Sequence, residues 1–143
     1  MIILDTNIVS EFMSSPPAGS VLHWLNEQPV DALYLTSITI AEISFGLDIL
    51  PIGRRRALLE ERFQLFIDQG FHQRILNFDK RAAKIYGNIM SHRRKVGRSM
   101  SCFDGQIAAI ARAKGFALAT RNTKDFEDCA LTLMNPFAHK AIH

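Results

Sequence analysis

Five short apolar runs, separated by longer stretches with helical periodicity, limit the fold of this chain more than any other feature. They are Ile2–Leu4, Leu33–Thr36, Ile75–Asn77, Phe116–Ala119 and Leu131–Met134. None of them alternates strictly between polar and apolar residues, which is typical of strands covered on both faces, as in parallel sheets. Helices interleaved with such strands indicate an α/β fold in which right-handed crossovers connect the strands.

The stretches between the runs predict helices. They cover about residues 21–25, 40–50, 54–68, 80–95 and 103–114. A chain of 143 residues without an internal repeat has the size of one domain, so we expect residues 1–143 to form a single domain.

The composition is that of a globular chain with a mild positive charge. Hydrophobic residues make up 48% and charged residues 22%, and no apolar stretch approaches the ~20 residues that span a bilayer. The first residues carry no basic leader, so we expect a cytoplasmic protein without membrane association. Cys102 and Cys129 lack CxxC spacing and are expected to be free thiols, and we expect no metal site at His139 and His143. The net charge of +3 only weakly favours a polyanionic partner.

Polar side chains fall where the predicted strands end or the predicted helices begin. Asp5 ends the first run, and we expect Glu42 and Asp104 in the first turns of their helices. Asn122 and Asp125 follow the fourth run directly. Functional groups of open α/β sheets gather at the carboxyl ends of the strands, so we expect these side chains to face one cleft.

Helix capping is the structural alternative for these acids. The pairs Thr39–Glu42, Ser101–Asp104 and Asn122–Asp125 match or resemble a capping box, and Asp5 or Asn7 could cap whatever element begins at Ile8. Capping does not explain why Asp5 ends a central apolar strand, because a buried carboxylate is costly unless it is paired or bound to a cation.

A cluster of carboxylates favours a divalent cation. Carboxylates a few ångströms apart repel one another, and Mg²⁺ or Mn²⁺ with oxygen ligands removes that penalty. Such a site activates water for displacement at phosphorus. The chain has neither a phosphate-binding glycine loop of the G-x-x-x-x-G-K-[ST] type nor a GxGxxG motif. The acids therefore point to metal-dependent phosphodiester chemistry.

Three blocks of sequence carry a resemblance to a known family. LDTN at residues 4–7, TSITIAEISFGL around Glu42 and SCFDGQIAAIARAKGFALATRNTKDF near the end resemble PIN-domain ribonucleases. More narrowly, they resemble the VapC-type toxins of bacterial toxin–antitoxin pairs, including the FitB-like branch. The resemblance implies a single PIN domain over residues 1–143, folded as a three-layer α/β/α sandwich with a central parallel sheet. It also implies endonucleolytic cleavage of RNA that depends on Mg²⁺ or Mn²⁺.

The family pattern assigns roles to individual residues here. Asp5 and Asp104 match the acids that would hold the metal, and Glu42 matches a further ligand or a water-positioning group. Thr6 would form hydrogen bonds within the site. Asn122 stands where some relatives carry a fourth acid, and we include it among the candidate catalytic residues.

Two alternatives remain open at this point. Because Asn122 is neutral, the chain could be an inactive PIN-like module that binds an antitoxin or nucleic acid, with Asp125 as a compensating acid or a helix cap. An acid after the first strand also suggests a phosphohydrolase of the haloacid dehalogenase type, although position 7 is Asn rather than a second Asp.

The resemblance and the basic residues suggest partners. The family implies an RNA substrate, a homodimer and a small antitoxin, with operon DNA bound only through the antitoxin. Arg54–Arg56 are expected on a solvated helix face. Arg93–Lys95 with Arg98 are candidate contacts for RNA or for an acidic partner, and Arg121 is expected near the cleft.

Overall fold

A central parallel sheet of five strands organises the chain. The computed structural model describes residues 1–13 and 16–138, so His139 and His143 lie outside the described residues. The strands are β1 (Ile2–Leu4), β2 (Leu33–Thr36), β3 (Ile75–Leu76), β4 (Ala117–Ala119) and β5 (Leu133–Met134). Their order across the sheet is β3-β2-β1-β4-β5, and every adjacent pair is parallel. The predicted strands and the parallel sheet are therefore confirmed.

Three of the predicted runs are longer than the strands they contain. Asn77, Phe116 and the first two residues of the run Leu131–Met134 lie outside the strands. The reason is clear at Phe116, whose backbone N–H donates to the carbonyl of Ala111 at 3.0 Å. That bond belongs to the end of a helix, where Gly115 adopts the left-handed conformation that closes such caps.

Six helices surround the sheet. They are α1 (Thr6–Met13), α2 (Gly19–Asn26), α3 (Ser37–Asp48), α4 (Arg54–Leu65), α5 (Lys80–Lys95) and α6 (Cys102–Lys114). Helix α4 continues as a π-helical turn over Phe66–Gly70. The predicted helices are confirmed, whereas the sequence pattern does not predict α1. No helix in the described ranges is long and apolar enough to cross a membrane.

The two faces of the sheet support separate cores. Ile2 and Leu4 of β1 pack in the core that contains Trp24 of α2, whereas Ile3 packs in the core that contains Ile107 of α6. This division follows from the alternation of side chains along a strand. The predicted three-layer α/β/α sandwich is therefore confirmed. Cys102 is exposed and Cys129 is buried, and both are free thiols as expected.

Close packing between α5 and α6 fixes the start of α6. A Cβ atom on Gly105 would lie 2.5 Å from the Met90 sulfur and 2.9 Å from the Tyr86 ring. Real Cβ contacts are not that short, so any larger residue at this position would force the Met90 side chain and the Tyr86 ring to shift. The packing holds Asp104, the preceding residue, in place at the amino end of α6.

Candidate functional site

The acidic cleft lies at the carboxyl ends of β1 and β4 and has a volume of about 500 Å³. Asp5, Glu42, Asp104 and Asn122 all line it, so the predicted convergence of these side chains is confirmed. Two further acids line the cleft. The sequence predicts Asp125 there, but it does not predict Glu11.

Asp5 is the most buried of these acids. It directly follows β1, its side chain and backbone together are 4% exposed, and its N–H donates to the carbonyl of Ala119 at 2.9 Å. Its Oδ1 accepts from the Thr6 N–H at 2.8 Å. Its Oδ2 accepts from the Thr120 hydroxyl at 2.8 Å and from Asn7 Nδ2 at 3.2 Å. Asp5 is therefore both the residue before α1 and a fixed acid at the base of the cleft.

Burial and like charges raise the pKa of Asp5 to about 6. Loss of hydration is the largest cause, and the nearby charges of Asp104 and Glu42 add to it. The hydrogen bonds from Thr120 and Thr6 oppose the rise because they stabilise the ionised form. The buried carboxylate therefore lacks full compensation from the protein.

Glu42 faces the same cleft from α3. It lies in the second turn of α3, so the prediction that it lies in the first turn is wrong. Its Oε1 accepts from the Thr6 hydroxyl at 2.8 Å, as expected for a threonine within the site. Burial raises the pKa of Glu42, the Thr6 hydrogen bond lowers it, and the charge of Asp104 raises it further.

Asp104 enters the cleft from the first turn of α6, as predicted. Its backbone N–H donates to the hydroxyl of Ser101, the N-cap residue, at 3.1 Å. Burial is the largest cause of a raised pKa at Asp104, and the charge of Asp125 adds to it. The side chain of Ser101 and the charge of Arg93 lower it.

Two of the three proposed capping boxes are wrong. The N-cap of α3 is Thr36, whose hydroxyl accepts from the Thr39 N–H at 3.2 Å, so Thr39 already lies inside the helix. Asn122 precedes a short 3₁₀ turn and makes no side-chain capping bond. Glu42 and Asp125 therefore point into the cleft without serving as caps of this kind.

Asn7 and Glu11 are site residues that the sequence pattern did not identify in these roles. Asn7 lies within α1, donates to Asp5 and accepts from the Arg121 N–H at 3.1 Å. Glu11 accepts from the Ala18 N–H at 2.7 Å and so joins α1 to the start of α2. The LDTN block contained the signal for Asn7, which lies two residues after Asp5. No signal in the sequence marked Glu11.

Two of the basic residues considered in the sequence, Arg93 and Arg98, make contacts within the protein. Arg93 is 4% exposed and its Nη1 donates to the Glu127 carbonyl at 2.5 Å. Arg98 pairs with the Glu127 carboxylate at 2.7 Å and donates to the Lys124 carbonyl at 3.2 Å. Both side chains contact the segment after β4. Arg94 and Lys95 are exposed, and a contact of this stretch with RNA or an acidic partner stays a prediction. Arg121, in contrast, lines the acidic cleft as expected.

The oxygen donors of the cleft fit a hard divalent cation with few protein ligands. Among residues 1–13 and 16–138, no three His, Cys, Asp or Glu side chains are grouped closely enough to hold a metal ion by themselves. Mg²⁺ commonly takes only one or two protein carboxylates and completes its shell with water and substrate phosphate. Asp5 and Asp104 are two such carboxylates. The charge of a neighbouring acid helps to raise the pKa of each, and a bound cation would offset that repulsion.

The sheet and the cleft define an α/β protein that gathers carboxylates at the carboxyl edge of a parallel sheet. Residues 2–130 match the model of the PIN domain family. The chain belongs to the PIN-domain family, and the resemblance seen in its sequence is confirmed.

Similar proteins include one named as a ribonuclease and one named as a toxin. The chain is 39% identical to VapC ribonuclease Y4jK of Sinorhizobium fredii, over 96% of this chain and 98% of that protein. It is 36% identical to toxin FitB of Neisseria gonorrhoeae, over 96% of this chain and 99% of that protein. A chain in the solved structure of FitAB bound to an IR36 DNA fragment superimposes with a TM-score of 0.91 at 36% identity, covering 100% of both chains.

Proposed function

We propose that this chain is an endoribonuclease that depends on Mg²⁺ or Mn²⁺ and acts as the toxin of a toxin–antitoxin pair. The observation that carries the proposal is Asp5, a buried carboxylate with a raised pKa at the base of a cleft that also holds Glu42 and Asp104. Such an arrangement destabilises the protein unless a cation binds there. The relatives named as a VapC ribonuclease and a FitB toxin support the choice of RNA as substrate.

The residues of the cleft have different proposed roles, which follow from their positions. Asp5 and Asp104 would hold the divalent ion, which when bound supplies Lewis acidity for water and phosphate. Thr120, Thr6 and Asn7 keep the Asp5 carboxylate in one orientation through three hydrogen bonds. The Asp5 carboxylate is thus already oriented towards the cleft before an ion or substrate binds.

Glu42 is suited to position the attacking water. One of its oxygens accepts from Thr6 at 2.8 Å, and its side chain lines the cleft. Because burial raises its pKa, Glu42 is a stronger proton acceptor than an exposed glutamate. Asn122, whose N–H donates to the Thr120 hydroxyl at 3.1 Å, would contribute a neutral amide where some relatives have a fourth acid.

An inactive PIN-like binding module is the second candidate. The neutral Asn122, in a position where some relatives carry a fourth acid, favours it. The retention of Asp5, Glu42 and Asp104 in one cleft favours the enzyme. A phosphohydrolase of the haloacid dehalogenase type has little support, because position 7 lacks the second Asp of that class. The Asn7 side chain instead donates to Asp5 and accepts from the Arg121 N–H.

The proposal includes an antitoxin, a homodimer and a cytoplasmic site of action. The solved structure of FitAB bound to an IR36 DNA fragment supports a DNA-binding pair, and contact with operon DNA only through the antitoxin is part of this proposal. Large apolar side chains are exposed on α3 and on the connection to α4, with Phe45 at 68% and Ile52 at 94%. Such side chains are typical of a surface that a protein partner covers. Residues 1–143 would act as a single domain.

Cleavage of RNA by purified protein, free of antitoxin, tests the proposal. Total RNA and transfer RNA would be incubated with Mg²⁺ or Mn²⁺, with EDTA and with the Asp104→Asn variant. We expect cleavage in the metal and none in EDTA or with Asp104→Asn. Equal cleavage by the variant would indicate a contaminating ribonuclease. No cleavage of any RNA in either metal would favour the binding module.

A further inference from the structure

Arg121 is the only cation among the described residues that line the acidic cleft. Five carboxylates share that lining, yet none of the ion pairs within the described residues involves Arg121. Its guanidinium carbon lies 4.5 Å from the centroid of the Phe137 ring, which also lines the cleft. An arginine among acids that stacks on a ring, rather than pairing, keeps its N–H edge available for another anion.

Hydrogen bonds hold both members of this stacked pair. The N–H of Arg121 donates to Asn7 Oδ1 at 3.1 Å, and its carbonyl accepts from Asn135 Nδ2 at 3.4 Å. Asn135 also accepts from the Phe137 N–H at 3.0 Å, so one amide joins both partners. Asn7 in turn donates to Asp5 at 3.2 Å. The backbone of Arg121 is thereby tied to the acid at the base of the cleft.

We propose that Arg121, stacked on Phe137, binds a phosphodiester group of the RNA strand in the acidic cleft. The inference rests on the proposed function and adds a substrate-binding residue to it. RNA is a polyanion, and five carboxylates repel it. The planar guanidinium presents paired N–H donors that match two phosphate oxygens, and its weak hydration lets its face lie on an aromatic ring.

The other arginines with described side-chain contacts lie outside the lining of the cleft. Arg93 and Arg98 bind the segment after β4, and Arg56 pairs with Glu60 at 2.6 Å. Arg62 donates to the Met13 carbonyl at 3.4 Å in the adjoining groove. Arg55 lines that adjoining groove as well, so among the described residues Arg121 is the arginine that lines the cleft of the acids itself.

Steady-state cleavage of a short single-stranded RNA tests this contact. We expect Arg121→Ala to lower kcat/KM by about 30- to 100-fold, the size of a lost charge-assisted hydrogen-bond pair. Arg121→Lys keeps the charge but loses the paired N–H donors and the stacking on the ring. We therefore expect it to lower kcat/KM by an intermediate factor of about 3- to 10-fold. Arg112→Ala is the matched control, because this exposed arginine lies eight residues beyond Asp104 on α6, about 12 Å along the helix. We expect it to stay within twofold of the wild type.

Salt dependence separates a phosphate contact from a structural role. Loss of one phosphate contact reduces the slope of log affinity against log salt by about 0.7 for a single strand. Dissociation constants for the same RNA would be measured by fluorescence anisotropy in an Asp104→Asn background, which binds without cleaving. We expect Arg121→Ala to weaken binding at least tenfold and to reduce the slope by about this amount, whereas Arg121→Lys retains the slope.

Two substitutions of Phe137 test whether its ring supports the Arg121 guanidinium by stacking. Phe137→Leu keeps the apolar volume but removes the aromatic face, and we expect it to lower kcat/KM by about 3- to 10-fold. Phe137→Tyr keeps the aromatic face, and we expect it to lose less activity than Phe137→Leu does. Equal losses in both variants would count against the stacking role.

Failure of this inference differs from failure of the proposed function. If Asp104→Asn abolishes cleavage while Arg121→Ala changes neither kcat/KM nor the salt slope, the inference is overturned and the nuclease stands. If Arg121→Ala cleaves as the wild type does but no longer captures an antitoxin, Arg121 recognises protein and the inference is also overturned. If the wild-type protein cleaves no RNA, the proposed function fails, and the anisotropy measurement alone tests whether Arg121 binds a phosphate group of RNA. In that case equal dissociation constants with and without Arg121 would reject the phosphate contact.

Discussion

The buried carboxylate of Asp5 makes the stability of the metal-free protein depend on pH in an unusual direction. Its pKa is 3.8 when unperturbed and about 6 in the folded protein. Between pH 4 and 6 the folded state therefore keeps a proton that the unfolded state has released. Raising the pH through this window lowers the free energy of unfolding, and stability levels off above about pH 7.

The size of the effect follows from the shift. A shift of about two pH units, at about 1.4 kcal/mol per unit, corresponds to a full loss of about 3 kcal/mol, of which about 2.5 kcal/mol falls between pH 4 and pH 8. The raised pKa values of Glu42 and Asp104 act in the same direction. Asp5→Asn removes the charge but also gives up the hydrogen bond from Asn7, which costs about 1 kcal/mol. We expect metal-free Asp5→Asn to exceed the wild type by about 1–2 kcal/mol at pH 8, with the difference shrinking towards pH 4.

Urea unfolding in EDTA, followed by circular dichroism from pH 4.5 to 8, measures this difference. Glu61→Gln, which removes an exposed acid of α4, controls for the loss of one negative charge. The reasoning fails if the wild type becomes more stable as the pH rises through this range. It also fails if Asp5→Asn is the less stable protein at pH 8, because Asp5 would then serve mainly as the cap of α1.

Two further substitutions test the packing and the hydrogen bonds of the site. Gly105→Ala places a methyl group 2.5 Å from the Met90 sulfur, so we expect it to lower the free energy of unfolding by about 1–3 kcal/mol in urea melts. Gly87→Ala on α5 meets no atom within 4 Å and should instead stabilise the helix by about 0.5–1 kcal/mol; the reverse ranking would refute the packing argument. Thr6→Val removes the donor that lowers the pKa of Glu42, so we expect the acidic limb of the pH–rate profile for RNA cleavage to move to higher pH. Thr6→Ser, which keeps the hydroxyl, should retain the wild-type profile, and an unchanged profile in Thr6→Val would exclude Glu42 from that limb.

Much of the fold could be predicted because its strands are continuous apolar runs. The prediction extended the fourth run to Phe116 because an apolar side chain does not reveal that its N–H closes a helix. Helix α1 was not predicted because Asp5, Thr6 and Asn7 look like a polar loop. In the structure each of these polar groups has a partner within the site, so the helix starts there at little cost.

Most of the residues that line the candidate site could be predicted from the sequence. Their positions within the helices and their side-chain partners could not. Glu42 faces the cleft although it lies one turn further into α3 than its apparent capping box suggested. Thr36 and Thr39 are both plausible caps in sequence, and only the end of β2 decides between them. Arg93 and Arg121 illustrate the same limit, since a sequence gives both the same charge. Burial commits Arg93 to the Glu127 carbonyl, whereas Arg121 stays in the cleft.

Binding of Mn²⁺ tests the central claim most directly, because it detects the ion without relying on cleavage. Electron paramagnetic resonance of free Mn²⁺ would be used to titrate the wild type, Asp5→Asn, Asp104→Asn and the surface control Glu61→Gln. If Asp5 and Asp104 hold the ion, the wild type and Glu61→Gln bind Mn²⁺ alike and both aspartate variants bind it at least tenfold more weakly. Equal binding by all four proteins, or no binding by the wild type, would contradict a metal centre in this cleft.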